Sequence, residues 1–297
     1  MAQGFQLAPR IRGMVEVLRP KDAEQPILPA EVRAAVRSWM TELFAEDDLK
    51  AVDVKPRRTA MLSGPPGCGK TTLAHHLSAR LGLPLACVKM DRLRSKYIGQ
   101  TGEQIADVFE DLESQADRCV ILMDEFDAVA MTRGTDGHAA TREANAIVDA
   151  LLARVENFTG TLIAATNRAD AIDPAMWRRF GLQLEIPLPG DEERFAILTR
   201  YLVPFGLPQD AMDFLADATA GATPAILRQL MEGIKRDLVL APRLDQPAEV
   251  TAVFARVMAS VRPHKDLTCP PLWAEAKVRD RLRALPWPPT LNGKGEK

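Results

Sequence analysis

The glycine-rich stretch at residues 64–71 constrains the fold of this chain more than any other feature. It reads Gly-Pro-Pro-Gly-Cys-Gly-Lys-Thr and fits the pattern G-x-x-x-x-G-K-[ST] in full. An apolar run at residues 59–62 precedes it, and apolar residues at helical spacing follow it. In such a strand–loop–helix unit, backbone N–H groups and the positive end of the helix dipole face a bound phosphate. The stretch therefore predicts a nucleoside triphosphate site.

Individual residues of this loop have expected parts in binding. Lys70 places a positive charge near the β- and γ-phosphates, and the Thr71 hydroxyl is expected to bind Mg²⁺. The residues predicted to contact the nucleotide are Gly64, Pro65, Pro66, Gly67, Cys68, Gly69, Lys70, Thr71 and Thr72.

The amino-acid composition limits the classes of protein to which this chain can belong. The 297 residues are 46% hydrophobic and 26% charged, which is ordinary for a soluble globular protein large enough for two domains. A net charge of −2 implies no bulk attraction to nucleic acid or to an anionic membrane. The four cysteines are widely spaced, which indicates reduced thiols. With no signal-peptide pattern and no membrane-spanning stretch in the sequence, we expect a cytoplasmic protein.

Alternating strand and helix patterns predict an α/β fold, a parallel sheet sandwiched by helices. The run at 119–123 is uninterruptedly apolar, as in a parallel strand covered on both faces. Strands are expected at residues 59–62, 85–88, 119–123, 161–165 and 182–186. Helical patterns at residues 192–201, 209–218, 224–239 and 248–261 then predict a small α-helical domain.

We expect four segments along the chain. Residues 1–26 are mixed and rich in turn signals, which predicts a flexible arm or a docking segment. Residues 27–187 form the α/β domain and residues 188–263 the helical domain. Residues 264–297 are rich in proline and are expected to be partly disordered, with one short helix near 273–285.

Polar residues follow two of the expected strands. Asp124 and Glu125 stand at the carboxyl end of a strand, where ligands gather in open α/β sheets. An Asp there can hold Mg²⁺ beside Thr71, and the adjacent Glu can polarise the water that attacks the γ-phosphate. Asn167 ends the next strand, where its amide can orient that water or sense the γ-phosphate. The alternative for Asn167 is a simple turn residue.

Together these motifs resemble the AAA+ ATPases, specifically their AAA clade. The resemblance rests on the loop at 64–71, on Asp-Glu-Phe-Asp at 124–127, on Ala-Thr-Asn at 165–167 and on Pro-Leu-Pro at 187–189. It covers about residues 28–240 and implies ATP hydrolysis with Mg²⁺ in a homo-oligomeric ring, usually a hexamer, with ATP at each subunit junction. It also implies roles, with Lys70 and Thr71 as Walker A, Asp124 and Glu125 as Walker B, and Asn167 as sensor 1.

A further stretch resembles a pore loop. Residues 95–100 read Ser-Lys-Tyr-Ile-Gly-Gln, similar to the aromatic–hydrophobic–glycine loop of protein-threading AAA rings. In such a ring Tyr97 would face the central channel and grip an extended polypeptide, with Ile98 and Gly99 beside it. The alternative is that Tyr97 packs onto its own domain. The resemblance favours ATP-driven remodelling, unfolding or translocation of a protein partner.

Arginines complete the expected site. A ring that hydrolyses ATP at its junctions needs a cation from the neighbouring subunit, and Arg178 and Arg179 follow a match to the family's helix before its fingers. The sequence reads Trp-Arg-Arg-Phe-Gly where many members have Arg-Pro-Gly-Arg-Phe-Asp, so which arginine reaches the phosphate stays open.

In the helical domain, or lid, Ala222 belongs to a stretch that resembles the turn over the adenine. Arg228 is either a second sensor or an exposed surface arginine.

Two other classes of function stay open. One is a nucleic-acid motor or loader, opposed by the net charge and by the absence of a basic stretch interleaved with aromatic residues. The other is a nucleotide switch or scaffold that regulates a partner without threading it. The complete set of Asp124, Glu125 and Asn167 argues against an inactive site, but it does not establish a motor.

Overall fold

The structure, a computed structural model, describes residues 5–90, 101–131 and 139–291. The chain separates into two units. The first, here the α/β unit, comprises Met1–Pro26, Ala30–Pro65 and Gly69–Ile186. The second, the helical unit, comprises Ile27–Pro29, Pro66–Cys68 and Pro187–Lys297. The main division thus falls after Ile186, one residue before the expected position.

A six-stranded sheet forms the centre of the α/β unit. Its strands are β1 (Val15–Leu18), β2 (Thr59–Ser63), β3 (Leu85–Lys89), β4 (Val120–Asp124), β5 (Thr161–Thr166) and β6 (Leu182–Glu185). They lie in the order β1-β3-β4-β5-β2-β6, with β1 antiparallel to β3 and all other neighbours parallel. Every residue of β5 is buried, as is β4 up to its last residue, because helices cover both faces. The expected parallel α/β fold is confirmed.

Helices connect these strands. They are α1 (Ala30–Phe44), α2 (Glu46–Lys50), α3 (Lys70–Arg80), α4 (Thr101–Glu113), α5 (Ala139–Asn157) and α6 (Pro174–Trp177). The buried faces of the described helices and strands pack into one apolar core that includes Phe109, Phe126 and Phe180. Because the strands run parallel, β2, β4 and β5 all end at the same edge of the sheet. That edge carries the predicted site residues.

Helices dominate the second unit. They are α7 (Asp191–Leu202), α8 (Gln209–Ala218), α9 (Pro224–Leu240), α10 (Val250–Ser260), α11 (Pro271–Ala274) and α12 (Ala276–Arg281). Helices α9 and α10 approach closely at Gly233, where an added Cβ would lie 2.7 Å from a methyl carbon of Val257. Two short strands that the sequence did not indicate, β7 (Phe205–Gly206) and β8 (Thr290–Leu291), pair in antiparallel fashion.

Across the described residues, no helix combines the length and the apolar character that crossing a membrane requires.

The expectation of a flexible N-terminal arm is wrong for the described part of residues 1–26. Strand β1 pairs with β3 along the whole of its length, and Ile11 is fully buried in the core. Arg10 forms ion pairs with Asp107 and Glu110 of α4. The strand was missed because it has only four residues, and two of these, Glu16 and Val17, are exposed.

The expectation of a partly disordered tail is also wrong for the described part of residues 264–297. Leu272 and Leu282 are buried in the core of the helical unit. The indole N–H of Trp287 donates to the Ala248 carbonyl at 2.7 Å, and that of Trp273 donates to the Val261 carbonyl at 2.8 Å. Proline content suggested disorder, but the leucines and tryptophans between the prolines anchor the segment.

Candidate nucleotide-binding and catalytic site

The loop at residues 64–71 turns through backbone conformations that favour glycine. Gly64, Gly67 and Gly69 have φ angles of 143°, 79° and 91°. A Cβ on Gly64 would lie 2.2 Å from the Ile186 carbonyl oxygen, so a larger residue does not fit there. Consecutive N–H groups in such turns point to one side and form an anion-binding concavity. Gly69 then precedes the first turn of α3, which adds the positive end of a helix dipole.

Lys70 joins the loop to the end of β5. Its side chain is buried, and its ammonium donates to the carbonyl oxygens of Gly64 and Pro65 at 2.7 and 2.9 Å. It also donates to Oδ1 of Asn167 at 2.7 Å. Two residues that lie 97 positions apart and were predicted separately are therefore in direct contact. The contact brings an ammonium and an amide group together beside the loop at residues 64–71.

Thr71 and Asp124 form the second predicted pair. The Thr71 hydroxyl donates to Oδ2 of Asp124 at 3.4 Å. Two oxygens bound side by side to Mg²⁺ are about 3.0 Å apart in octahedral geometry, so the pair fits that ion after a small shift. Within the part of the chain that the structure describes, no group of three or more His, Cys, Asp and Glu side chains could hold a metal. A site with two protein ligands suits Mg²⁺, which keeps waters and takes phosphate oxygens as its other ligands.

Glu125 lies directly beyond β4 in a left-handed backbone conformation, with a φ of 56°. Its amide N–H donates to Oδ1 of Asp124 at 3.2 Å, and its side chain is exposed. A left-handed conformation in a residue other than glycine costs on the order of 1–3 kcal/mol and persists where the surrounding structure imposes it. Here it turns the chain sharply after Asp124. This turn is consistent with the predicted role of a carboxylate beside the phosphate loop.

Asp127 was quoted in the sequence motif without a role, and the structure gives it one. Its Oδ1 accepts from the Thr166 hydroxyl at 2.8 Å and from the Asn167 amide N–H at 3.3 Å. The carboxylate therefore fixes the end of β5 from which the Asn167 side chain extends to Lys70. The available signal was its spacing of three residues from Asp124.

Lys89 was missed altogether. It ends β3, opposite Asp124 in the register of β3 and β4, and its ammonium lies 2.6 Å from Oδ2 of that residue. Burial lowers the pKa of Lys89, but the hydrogen bond and the charge of Asp124 outweigh it and raise the pKa above its ordinary value. The sequence showed only that a lysine ends an apolar strand. Its contact with Asp124 could not be predicted without knowing that β3 and β4 are neighbours in the sheet.

The two candidate arginine fingers lie at the end of α6. Asp173 begins this helix by accepting from the Ala175 and Met176 amides, at 2.8 and 3.4 Å. Nε of Arg178 donates to the Pro174 carbonyl at 3.1 Å, and Nε of Arg179 lies 3.2 Å from Oε2 of Glu156. Both arginines therefore make these contacts with other residues of the α/β unit.

The remaining predicted residues are placed as follows. Cys68 is buried, as is Ala222, whose N–H donates to the Thr219 carbonyl at 2.9 Å. Arg228 donates to Glu232 at 2.8 Å, and its guanidinium lies 5.1 Å from the centre of the Tyr201 ring. These contacts lie within the helical unit and leave both interpretations of Arg228 open. The pore-loop residues Tyr97, Ile98 and Gly99 lie outside the described residues.

Comparison with known proteins gives one family match. Residues 60–188 match the family described as "ATPase family associated with various cellular activities (AAA)". This segment contains residues 64–72 of the phosphate loop and helix, together with Lys89, Asp124, Glu125, Asp127, Asn167, Arg178 and Arg179.

Several curated proteins are similar to this chain. An uncharacterized AAA family ATPase, y4kL, of Sinorhizobium fredii is 39% identical over 169 residues, which are 56% of this chain and 50% of that protein. A proteasome-activating nucleotidase of Thermococcus gammatolerans is 32% identical over 235 residues, 75% of this chain and 58% of that protein. The peroxisomal ATPase PEX1 of Dictyostelium discoideum is 38% identical over 213 residues, 67% of this chain and 17% of that protein. The chain thus spans between half and three fifths of the first two relatives.

Proposed function

This chain belongs to the AAA family of ATPases through its residues 60–188, and from that premise we propose that it binds ATP with Mg²⁺ and hydrolyses it. The observation that carries the proposal is the contact of the Lys70 ammonium with the phosphate loop and with Asn167. It joins a group that binds phosphate to a group that positions water. Bound Mg²⁺ would neutralise charge on the phosphate oxygens.

Each residue then has a defined part in hydrolysis. The loop N–H groups and Lys70 hold the phosphates, and the oxygens of Thr71 and Asp124 hold the metal. Glu125 accepts the proton of the attacking water, because its carboxylate follows the metal-binding residue directly. Asn167 orients that water from the end of β5, while Asp127 fixes the backbone on which Asn167 sits. Thr72 and Ala222 complete the nucleotide contacts.

We extend the proposal to a homo-oligomeric ring, a hexamer as in the AAA clade, with Arg178 or Arg179 donated to the neighbouring subunit's ATP. Arg178 and Arg179 both lie at the surface of the α/β unit, where a neighbour can meet them, and the exposed fractions of the Arg179 and Glu156 side chains are 41% and 57%. An ion pair this exposed contributes at most about 1 kcal/mol, so Arg179 can exchange Glu156 for a phosphate at little cost.

The partner handled by this ring is proposed to be a protein. Two kinds of relative support this, one named a proteasome-activating nucleotidase and one a peroxisomal ATPase. The Tyr-Ile-Gly sequence at 97–99 gives the aromatic group that gripping a polypeptide requires. We place the activity in the cytoplasm.

The first experiment measures ATPase rate per subunit against protein concentration, for the wild type and for mixtures with Glu125→Gln subunits. Shared sites predict that specific activity rises cooperatively with concentration. Coupled turnover of neighbouring subunits would in addition make the mixtures lose more activity than dilution alone explains. A flat rate with proportional loss would contradict the ring and favour a monomeric switch.

A second mixture identifies the finger. Arg179→Ala subunits lack the donated cation but keep their own Glu125, whereas Glu125→Gln subunits keep the arginine. Mixing two inactive proteins should therefore restore part of the activity if Arg179 acts across the junction. Arg178→Ala is the matched control, and recovery with Arg178→Ala alone would assign the finger to Arg178.

Protein handling is tested with Tyr97→Ala. A threading ring should keep hydrolysing ATP and lose its effect on a protein partner, since the side chain that grips the polypeptide is gone. A switch that regulates a partner through ATP binding should keep that effect. Phe44→Ala, at an exposed aromatic position on α1, is a suitable control.

A further inference from the structure

Where β3 and β4 end, a cationic side chain contacts the carboxylate that we propose as a metal ligand. Lys89 and Asp124 are the last residues of these parallel strands and lie opposite each other in their register. The Lys89 ammonium is 2.6 Å from Oδ2 of Asp124. The same oxygen accepts the Thr71 hydroxyl at 3.4 Å. The atom that we assign to Mg²⁺ is therefore already bound to a positive charge.

This ion pair is partly shielded from water. The side chains of Lys89 and Asp124 are 27% and 14% exposed. Screening by solvent is weaker there than for a surface pair, so the attraction is stronger. Lysine keeps its proton at neutral pH because its ordinary pKa is about 10.4. The ammonium also has a route to solvent, and its four-carbon stem allows it to move away from Asp124.

A magnesium ion and this ammonium do not fit well on one oxygen. With the ammonium at 2.6 Å and Mg²⁺ at about 2.1 Å from Oδ2, the two cations would be only about 4 Å apart. Repulsion at that separation opposes metal binding unless Lys89 leaves. Phosphate groups that arrive with the metal add negative charge and offset this repulsion.

We propose that Lys89 competes with Mg²⁺ for Asp124, so that its ammonium holds the metal position in the nucleotide-free protein and sets the Mg²⁺ concentration at which the site loads. The inference rests on the proposed binding of Mg²⁺ with a nucleotide. It assigns to Lys89 a role in regulating metal occupancy, beyond its place at the end of a strand.

The alternative is a structural ion pair that only joins the ends of β3 and β4. The two roles predict different results when the charge is removed. A purely structural pair would affect the stability of the fold and leave the metal requirement unchanged. A competitor would change the metal requirement in the folded protein.

The test titrates free Mg²⁺ at a fixed concentration of fluorescent ADP and records nucleotide binding, so it needs no turnover. The variant is Lys89→Met, which keeps most of the side-chain volume without the charge. We expect its half-saturating Mg²⁺ concentration to fall about five- to tenfold, as for loss of a partly shielded charge pair. Lys89→Arg, which keeps the charge, should stay close to the wild type. Lys50→Met, which removes a lysine from an exposed ion pair with Glu46, is the matched control.

The outcomes separate the inference from the proposed function. A Lys89→Met midpoint within twofold of the wild type would overturn the inference, as would ADP binding that does not respond to Mg²⁺ in either protein. Absence of ADP binding by the wild type under every condition would overturn the proposed function, and the inference with it. Circular dichroism and thermal unfolding check that the variants are folded. Lys89→Gln replaces Lys89→Met if the latter does not fold.

Discussion

Among the described residues, each unit buries one cationic side chain, and the two have different hydrogen-bond partners. Lys70 of the α/β unit is 8% exposed and Arg194 of the helical unit is 6% exposed. Lys70 donates to two loop carbonyls and to the neutral amide of Asn167. Arg194 donates to the carbonyls of Ala216 and Pro189, at 2.7 and 2.9 Å, and to the carboxylate of Asp191.

We assign the two cations different roles, Lys70 to nucleotide binding and Arg194 to the packing of the helical unit. Asp191 neutralises Arg194 from the first turn of the same helix, and the two carbonyls anchor α7 to the end of α8 and to the chain before α7. Lys70 contacts the loop carbonyls and Asn167, which all lie at the proposed nucleotide site. Burial of a cation is therefore not by itself a sign of a binding site. The position of the groups that hold it suggests its role.

The largest expected effect comes from Lys70→Met. Removing the ammonium should lower nucleotide affinity and ATPase rate by at least about 100-fold, as for loss of a group that stabilises charge on transferred phosphate. Thermal unfolding should change by only a few degrees, because Lys70 is assigned to ligand binding more than to the core. Steady-state ATPase assays and calorimetric unfolding test both parts. Retention of more than a fifth of the wild-type activity would contradict the role in nucleotide binding that we assign to Lys70.

Arg194→Met should show the opposite behaviour. The substitution leaves the Ala216 and Pro189 carbonyls without this donor, and we expect a loss of about 2–4 kcal/mol in the free energy of unfolding. Nucleotide affinity of the folded fraction should change less than threefold. Urea denaturation followed by circular dichroism measures the loss, with Arg200→Met at an exposed position of α7 as the control. A loss below about 0.5 kcal/mol would show that Arg194 is not a structural anchor.

The smallest expected effect is that of Asp127→Asn. An amide oxygen can still accept from Thr166 and from the Asn167 N–H, but it forms weaker hydrogen bonds than a carboxylate. Less precise positioning of Asn167 should lower kcat about three- to tenfold and leave KM nearly unchanged. Steady-state kinetics check this against Asp117→Asn at an exposed position. Equal kinetics for the two variants would mean that Asp127 does not position the site.

Features that depend on local spacing could be predicted from the sequence. The loop at 64–71, the ends of β4 and β5 and the helices of the second unit needed only neighbouring residues and the periods of helices and strands. The roles of Lys70 and Asn167 followed from the family resemblance, whereas their direct contact was seen only in the structure. Lys89 and Asp127 could not be assigned, because their roles depend on which strands are neighbours and in what register. The chain order of the strands does not give the sheet order.

The N-terminal segment and the tail show a second limit. Turn signals in the first segment and prolines in the second suggested flexibility. In the structure Ile11, Leu272 and Leu282 are almost completely buried. Short elements form because they pack against a core that already exists, so their own sequence carries little signal.

The position of β1 also matters for how the protein behaves in solution. Leu85, Ala86, Cys87 and Val88 of β3 are almost completely buried, and β1 pairs with all four of them. Cutting the chain at residue 26, the boundary of the expected arm, would remove β1 and expose the backbone of β3 at the edge of the sheet. Open edges of this kind pair with strands of other molecules, so such a truncated protein should aggregate. The first strand thus keeps the sheet from growing by self-association.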